Sequence, residues 1–398
     1  MGKFVQLLLP MTSLIVLALL YVRLINSSLV VKVPVGWFKF GVAFIALGLT
    51  NLFVSVYVND FISIINIRYV LVEITLGVFI LSLSNYNKYL YVFSNKIFVV
   101  MAVSNLLIIL AEQFFWFFDK GLLADLQRVI APANSFHGSI NRPAFGFQLI
   151  RPLGLFGGVH AASLFVLISF LRFMALKNLP SIKKNFYWLV FLLFIFSLQS
   201  GQTIILSLFA FFVAFSIGKK NIFMPMAILF LFLLPFLFLW LSSVGHFDDK
   251  QYSMLYIFMN SLGFLFIFPN SECFLFGCSL NSSDIMALAS SQDGFKENIA
   301  YTDNGFISSF LAFGAMFYVV YLIFCFSIFK LKNHSNTKAT LFIGSSVLGA
   351  TIIHYPIGFG AGLYALFLMN FYYLYHYEKL SNNIVYENSN SYALNKKE

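Results

Sequence analysis

The residues best suited to chemistry are two arginine–proline pairs in an otherwise apolar stretch, Arg142-Pro143 and Arg151-Pro152. Proline disfavours helical backbone at the residue before it, so both arginines are expected in turns or extended segments. They lie nine residues apart, half a turn out of phase on one straight helix, whereas a looped segment could aim both at one ligand. Guanidinium groups bind phosphate through paired hydrogen bonds, so this stretch predicts a phosphate site, with Pro152 opening the next helix.

The same two arginines have a simpler explanation, to which their spacing alone gives about equal weight. Long basic side chains often anchor the end of a membrane helix at the boundary between lipid and water. The elements around the arginines therefore decide which interpretation is favoured.

The composition excludes a soluble globular protein, because 60% of the 398 residues are hydrophobic and only 10% are charged. The apolar runs are long enough to cross a bilayer and do not alternate as barrel strands would. We predict an all-α polytopic membrane protein with about eleven (10–12) transmembrane helices, in a single membrane domain over 1–380 and a polar tail over 381–398. The expected spans are 4–24, 37–58, 69–84, 97–118, 155–176, 186–200, 202–218, 222–242, 304–329, 339–355 and 360–377.

The basic residues predict the orientation, because lysine and arginine favour the cytoplasmic side. With loops 177–184, 219–220 and 330–338 inside, 17 of the 25 Lys and Arg residues are cytoplasmic and eight are outside. This rule accounts for the net charge of +10 without a nucleic-acid partner. The two long segments, about 119–154 and 243–303, are then periplasmic loops. Arg128, Arg142 and Arg151 oppose the charge bias within the first of these loops, which favours a function for them.

Other ionisable groups near the predicted outer ends of the helices could serve as acids or bases. An ionisable group within the membrane is costly and therefore a functional candidate. Each one alone is more often a structural group with satisfied hydrogen bonds, but their shared depth beside the arginine loop favours function. They are Glu73, Glu112, His160 and His354.

Three motifs resemble those of the O-antigen polymerase and O-antigen ligase superfamily. The segment 151–162, RPLGLFGGVHAA, is similar to the family's R-P-x-G-x-F-G-x-P-N/H motif, with Val159 where proline is usual. FLFG over 274–277, DNGFI over 303–307 and Phe313-Gly314 are similar to its distal block, in which an L-x-G element precedes D/H-N-G/x-Y/F-L at a helix start. Segment 198–203, LQSGQT, loosely matches the family's polar break between two middle helices but lacks an arginine often found there.

The resemblance implies a GT-C-like glycosyltransferase in the bacterial inner membrane, which polymerises undecaprenyl-pyrophosphate-linked oligosaccharide. The resemblance also implies that the enzyme contacts membrane lipid and has a chain-length-determinant protein as a further partner. No metal or other cofactor is expected. Arg142 and Arg151, with Arg128 in support, would bind the pyrophosphate. The candidate catalytic groups are Asp303, His160 and Glu112, and the other candidate substrate contacts are Gly154, Asn304 and His354.

Two other functions remain open, and so does a purely structural role for Asp303. A ligase would transfer the finished glycan to lipid A core, and Asp303, where ligases of this family tend to have histidine, favours the polymerase. A flippase or other transporter would place charged groups around a central cavity rather than in long outer loops. Asp303 precedes a predicted helix start, where aspartate is also a preferred N-cap.

Overall fold

The computed structural model describes residues 35–59, 64–83, 86–130, 150–177, 180–198, 200–216, 271–277, 305–331, 337–345, 364, 366–377 and 380. These residues form helices and turns, and no strand occurs among them. The all-α prediction is confirmed for this part of the chain. The helices are α1 (Val35–Asn59), α2 (Ile64–Ser82), α3 (Lys88–Phe118), α4 (Lys120–Ile130), α5 (Val159–Leu176), α6 (Ser181–Ser197), α7 (Gly201–Ser216), α8 (Ser271–Phe276), α9 (Gly305–Ser327), α10 (337–345) and α11 (366–377).

Large apolar side chains cover the outside of these helices. On α3, for example, Val100, Leu107, Phe117 and Phe118 are each more than half exposed. Such a surface is a liability in water, whereas in a bilayer it contacts lipid chains. Four described segments are long and apolar enough to cross a membrane: Gly36–Tyr57, Lys88–Phe118, Val159–Leu176 and Ala312–Lys330. The chain is therefore a helical membrane protein.

Contacts between helix ends give the helices a common orientation. Trp37, at the start of α1, donates a hydrogen bond of 2.9 Å to Ser327 at the end of α9 and stacks on Tyr375 of α11. The backbone N–H of Asn87, just before α3, donates to the Tyr372 hydroxyl of α11 at 2.9 Å. These contacts define one end of the bundle, the basic end, whose described cationic residues are Lys39, Lys88, Lys96, Arg172, Lys177, Lys183, Lys184, Lys330 and Lys338.

Arg172 is buried in the basic end and joins three helices. Its guanidinium donates to Asn370 of α11 at 2.6 Å and to Asn95 of α3. The same group lies over the rings of Tyr373 and Phe98, 4.1 and 4.7 Å from their centroids. Amide oxygens and aromatic faces both stabilise a cation that has left water. Arg172 thus fixes the register of α3, α5 and α11.

The opposite end of the bundle contains the sequence motifs, and we call it the motif end. It comprises the C-terminal parts of α1 and α3, helix α4, the turn over 150–158, the start of α7, and α8 with the first half of α9. Its described cations are Lys120, Arg128 and Arg151, and its described carboxylates are Glu112, Asp119, Asp125 and Glu272. The described side chains therefore separate by charge between the two ends.

Three local details differ from or add to the predicted spans and loops. Helix α3 begins at Lys88 rather than at 97, because the Asn87 side chain accepts hydrogen bonds from the first-turn N–H groups of Tyr89 and Leu90. The first predicted loop holds helix α4, which Asp119 caps in the same way. Pro152 does not open α5, which begins at Val159 after a 3-10 turn over Gly154–Phe156.

We expect reporters at the two ends of the bundle to lie on opposite sides of the membrane. A phosphatase fused within α4 near residue 126 should be active in the periplasm, while the same fusion after Lys183 should be inactive. A fluorescent protein that matures only in the cytoplasm should give the reverse pattern. Equal signals from the two fusion sites would contradict the arrangement of helix ends.

Candidate functional site

The turn that follows Arg151 is not α-helical and depends on glycine. Gly154 and Gly157 have φ of +57° and +64°, a region that other residues rarely adopt. A Cβ atom on Gly154 would lie 2.5 Å from the side-chain oxygen of Asn105 and 2.6 Å from Cβ of Ala162. Glycine is therefore required both for the backbone conformation and for the close packing of the turn.

Three polar side chains of α3 hold this turn by its backbone. Glu112 accepts hydrogen bonds from the N–H groups of Leu153 and Gly154, at 3.0 and 2.8 Å. Asn105 accepts from the N–H of Leu155 at 3.0 Å and donates to the carbonyl of Ala162 at 3.1 Å. Gln113 donates to the carbonyl of Ile150 at 2.7 Å. Irregular backbone inside a membrane protein needs such partners, because lipid offers none.

Glu112, a predicted catalytic group, is fully buried against the turn. Both of its oxygens accept backbone N–H groups, and one also accepts a longer bond of 3.4 Å from Gln127 of α4. This geometry gives Glu112 a positioning role, which is the structural alternative that the sequence left open. Its catalytic role remains a prediction.

A glutamine at position 112 should loosen the turn. Glutamine keeps one acceptor oxygen but turns an NH₂ group toward a backbone N–H, and a buried donor left without an acceptor costs about 1–3 kcal/mol. We expect Glu112→Gln to lower the melting temperature of the detergent-solubilised protein, measured by size-exclusion chromatography after heating. Glu272→Gln is the matched control, because Glu272 is exposed. An unchanged melting temperature with lost activity would instead indicate catalysis by Glu112.

The predicted phosphate-binding arginines have different surroundings. Arg151 lies half-buried at the head of the turn, between the buried residues Ile150 and Pro152. Arg128 is exposed on α4 and forms a surface ion pair with Asp125 at 3.1 Å. Exposed pairs of this kind contribute little to stability, so Arg128 can exchange its partner easily. Arg142 lies outside the described residues, as do Asp303, Asn304 and His354.

His160, in the first turn of α5, begins a chain of hydroxyl groups that crosses to α7. Its Nδ1 lies 3.0 Å from the Ser200 hydroxyl, which lies 2.9 Å from the Thr203 hydroxyl. Thr203 lies 2.9 Å from the Ser163 hydroxyl, which donates to the carbonyl of Val159 at 2.5 Å. The side chains of Ser200, Thr203 and Ser163 are completely buried or nearly so.

The direction of these hydrogen bonds follows from Ser163, the last hydroxyl of the series. A carbonyl can only accept, so the one hydroxyl proton of Ser163 is used there, and Thr203 must donate to Ser163. Ser200 then donates to Thr203 and accepts from Nδ1 of His160. This order assigns the proton of the neutral imidazole to Nδ1 and leaves Nε2 as its basic nitrogen.

Two of the distal segments, 274–277 and 313–314, meet at a second junction. Gly277, at the end of α8, and Gly314, within α9, have φ of +76° and +78° and lie against each other. A Cβ atom on Gly314 would lie 2.3 Å from the backbone nitrogen of Gly277. Asn51 of α1 donates to the carbonyls of Phe276 and Ala312, at 2.9 and 2.8 Å. Gly314 kinks α9, and Asn51 satisfies a carbonyl at the kink.

Sequence reasoning singled out the glycines and Glu112 but missed the other residues that hold the glycine turns. Asn51, Asn105 and Gln113 are polar residues in apolar spans, and this is the signal that could have identified them. Among the described residues, no three His, Cys, Asp or Glu side chains group as a metal site. In comparisons with known proteins, no family model, curated protein or solved structure matches the chain.

Proposed function

We propose that the chain is a membrane glycosyltransferase of the O-antigen polymerase type. It would join undecaprenyl-pyrophosphate-linked repeat units into a surface polysaccharide at the periplasmic face of the bacterial inner membrane. One observation carries the proposal: Arg151 and His160 flank a tight glycine turn, and buried side chains of α3 hold this turn at one end of a membrane bundle. About eleven spans and a GT-C-like arrangement are part of the proposal.

The reaction needs few protein side chains because pyrophosphate is already a good leaving group. The acceptor hydroxyl oxygen bonds to the anomeric carbon of the growing glycan, and the bond from that carbon to the pyrophosphate oxygen breaks. The pyrophosphate leaves with the electron pair of this bond, and a base takes the proton of the acceptor hydroxyl. Arginines that bind the pyrophosphate stabilise the charge that develops on it.

Arg151 has the features that a pyrophosphate ligand requires. It is half-buried, so the surrounding water screens its charge less than on an open surface. The turn behind it is fixed by four hydrogen bonds between its backbone and three α3 side chains. A rigid backbone keeps the guanidinium in place before substrate arrives, which lowers the entropic cost of binding. Arg142 would be its partner, and Arg128 would attract the anion from the surface.

His160 is the described residue best suited to receive the proton of the acceptor. The hydroxyl chain through Ser200, Thr203 and Ser163 keeps the proton of its neutral ring on Nδ1, so Nε2 carries the basic lone pair. Its position nine residues after Arg151, at the next helix start, puts both groups at the motif end. Asp303 remains the alternative base or acceptor contact, and Asn304 and His354 remain candidate substrate contacts.

The disulfide at Cys273 supports an outward-facing motif end. Cys273 of α8 is disulfide-bonded, whereas Cys325, buried in α9, is not. Disulfides persist in the periplasm and are rare in the cytosol. Because α8 contacts Asn51 at the motif end, the whole motif end would face the periplasm.

The glycan ladder of a deletion strain tests the proposal and separates it from its two competitors. Loss of a polymerase leaves lipid A core with a single repeat unit, and complementation with this chain should restore the ladder. Loss of a ligase would leave polymer on the carrier lipid, and loss of a flippase would leave single units inside the cell. Either of these last two patterns would overturn the polymerase proposal.

A further inference from the structure

Glu73 lies in the middle of α2, where that helix packs tightly on α1. It is fully buried, and neither of its carboxyl oxygens has a hydrogen-bond partner among the described residues. A Cβ atom on Gly48 of α1 would lie 3.2 Å from Cβ of Glu73, and a Cβ atom on Gly77 would lie 2.6 Å from the carbonyl of Gly41. Close glycine contacts on both sides of Glu73 leave little room for water between the helices.

Glu112 provides an internal comparison for Glu73. Both are fully buried glutamates in apolar helices. The carboxyl oxygens of Glu112 accept hydrogen bonds from two backbone N–H groups and an amide, which stabilise a negative charge. Among the described residues, no such donor lies within hydrogen-bonding distance of the Glu73 oxygens. A carboxylate without donors or a countercharge is far more costly to bury than a neutral carboxylic acid.

The helices packed against α2 bring no charge to Glu73. Among the described side chains, α1 carries one charged group, Lys39, which is exposed at the basic end. The sequence of α9 over Gly305–Ser327 contains no charged residue. Helix α11 packs on α2 through Phe371 and Phe79, nearer the basic end. The titratable but uncharged residues of α1, α9 and α11 are Tyr57, Tyr318, Tyr321, Cys325, Tyr372, Tyr373, Tyr375, His376 and Tyr377.

We propose that Glu73 is a proton-binding site within the membrane, occupied by a proton at neutral pH, and that α1 and α2 must separate for the proton to leave. Water or a cation has to reach the carboxylate once it forms, and the glycine contacts admit neither. Gly48 and Asn51 lie one turn apart on α1, and Asn51 holds the junction of Gly277 with Gly314. Separation of α1 from α2 therefore disturbs the motif end. This inference does not depend on the proposed enzymatic activity.

Infrared spectroscopy of the full chain in lipid nanodiscs tests the protonation state directly. Subtracting the Glu73→Gln spectrum from the wild-type spectrum at neutral pH should leave the C=O band of a protonated carboxyl, and this band should persist at about pH 9, far above the ordinary titration range of glutamate. Glu272→Gln is the control, because Glu272 is exposed, and it should remove carboxylate bands instead. Carboxylate bands in the Glu73 difference spectrum would overturn the proposal.

A chemical probe covers the case in which Glu73→Gln does not fold. Dicyclohexylcarbodiimide is apolar and reacts with protonated carboxyl groups, so it should modify Glu73 of the wild-type protein in nanodiscs slowly, when α1 and α2 separate. Mass spectrometry of the peptides should show label on Glu73 at neutral pH and still at about pH 9, and at least about tenfold less label on Glu272, which is exposed. No label on Glu73, or equal labelling of Glu73 and Glu272, would overturn the proposal.

Discussion

Replacing Arg151 with alanine should abolish the polymer ladder at an unchanged protein level. The turn behind Arg151 is held by α3 through backbone hydrogen bonds, so removing the side chain should leave the fold intact. The variant should instead lose catalytic rate, because one donor to a developing negative charge typically contributes about a hundredfold or more in rate. Gel electrophoresis of the glycan, with immunoblotting of the protein, measures both quantities.

Lysine at position 151 separates charge from geometry. Lysine keeps the positive charge but lacks the planar fork that binds two phosphate oxygens at once, so Arg151→Lys should restore only part of the ladder. Lys183→Ala is the control for charge alone, because Lys183 is exposed at the basic end, and this variant should make a full ladder. A full ladder from Arg151→Ala would show that Arg151 is only a helix-end anchor.

Alanine at Gly277 or Gly314 should disrupt the distal junction more severely than any other glycine replacement in the described segments. A Cβ atom on Gly277 would lie 2.4 Å from the Ala312 carbonyl, and one on Gly314 would lie 2.3 Å from the Gly277 nitrogen. These atoms belong to backbone and cannot move aside as a side chain can. The backbone of Gly314, with φ of 78° and ψ of 173°, is also in a region that is essentially restricted to glycine.

The expected loss of stability is several kcal/mol, since an overpacked site typically costs about 1–3 kcal/mol and the backbone strain about 1–3 kcal/mol more. Both variants should therefore give little monodisperse protein in detergent and no ladder. Gly36→Ala is the matched control, because a Cβ atom there meets nothing within 4 Å. Normal yields of Gly277→Ala and Gly314→Ala would mean that the two glycines do not lie in contact.

Hydropathy predicted where apolar helices lie but not where each helix ends. The predicted spans 37–58 and 155–176 agree with α1 and α5 to within a few residues, and the predicted break near Ser200 does separate α6 from α7. Helix α3 begins nine residues before its predicted span, because the Asn87 side chain caps its first turn. Hydropathy measures contact with lipid, whereas capping and hydrogen bonding decide where a helix begins.

The site motifs were visible in the sequence, but their partners were not. The glycines after Arg151 indicated an irregular turn, and the residues that satisfy it lie about 40 positions earlier, on α3. Likewise His160 and Ser200 were both noted, and only the packing of α5 on α7 brings them within 3.0 Å. Spacing along the chain predicts which residues share a helix face, but it does not predict which helices are neighbours.

Glycan transfer by the purified protein tests the central claim most directly. The protein in nanodiscs, supplied with undecaprenyl-pyrophosphate-linked repeat units, should form products of two or more units that remain attached to the carrier lipid. Because arginines stabilise the leaving group in this account, the reaction should proceed in excess EDTA, and Arg151→Ala should make no product. Products that form only after Mg²⁺ or Mn²⁺ is added, or a wild-type protein that leaves the units unjoined, would contradict it.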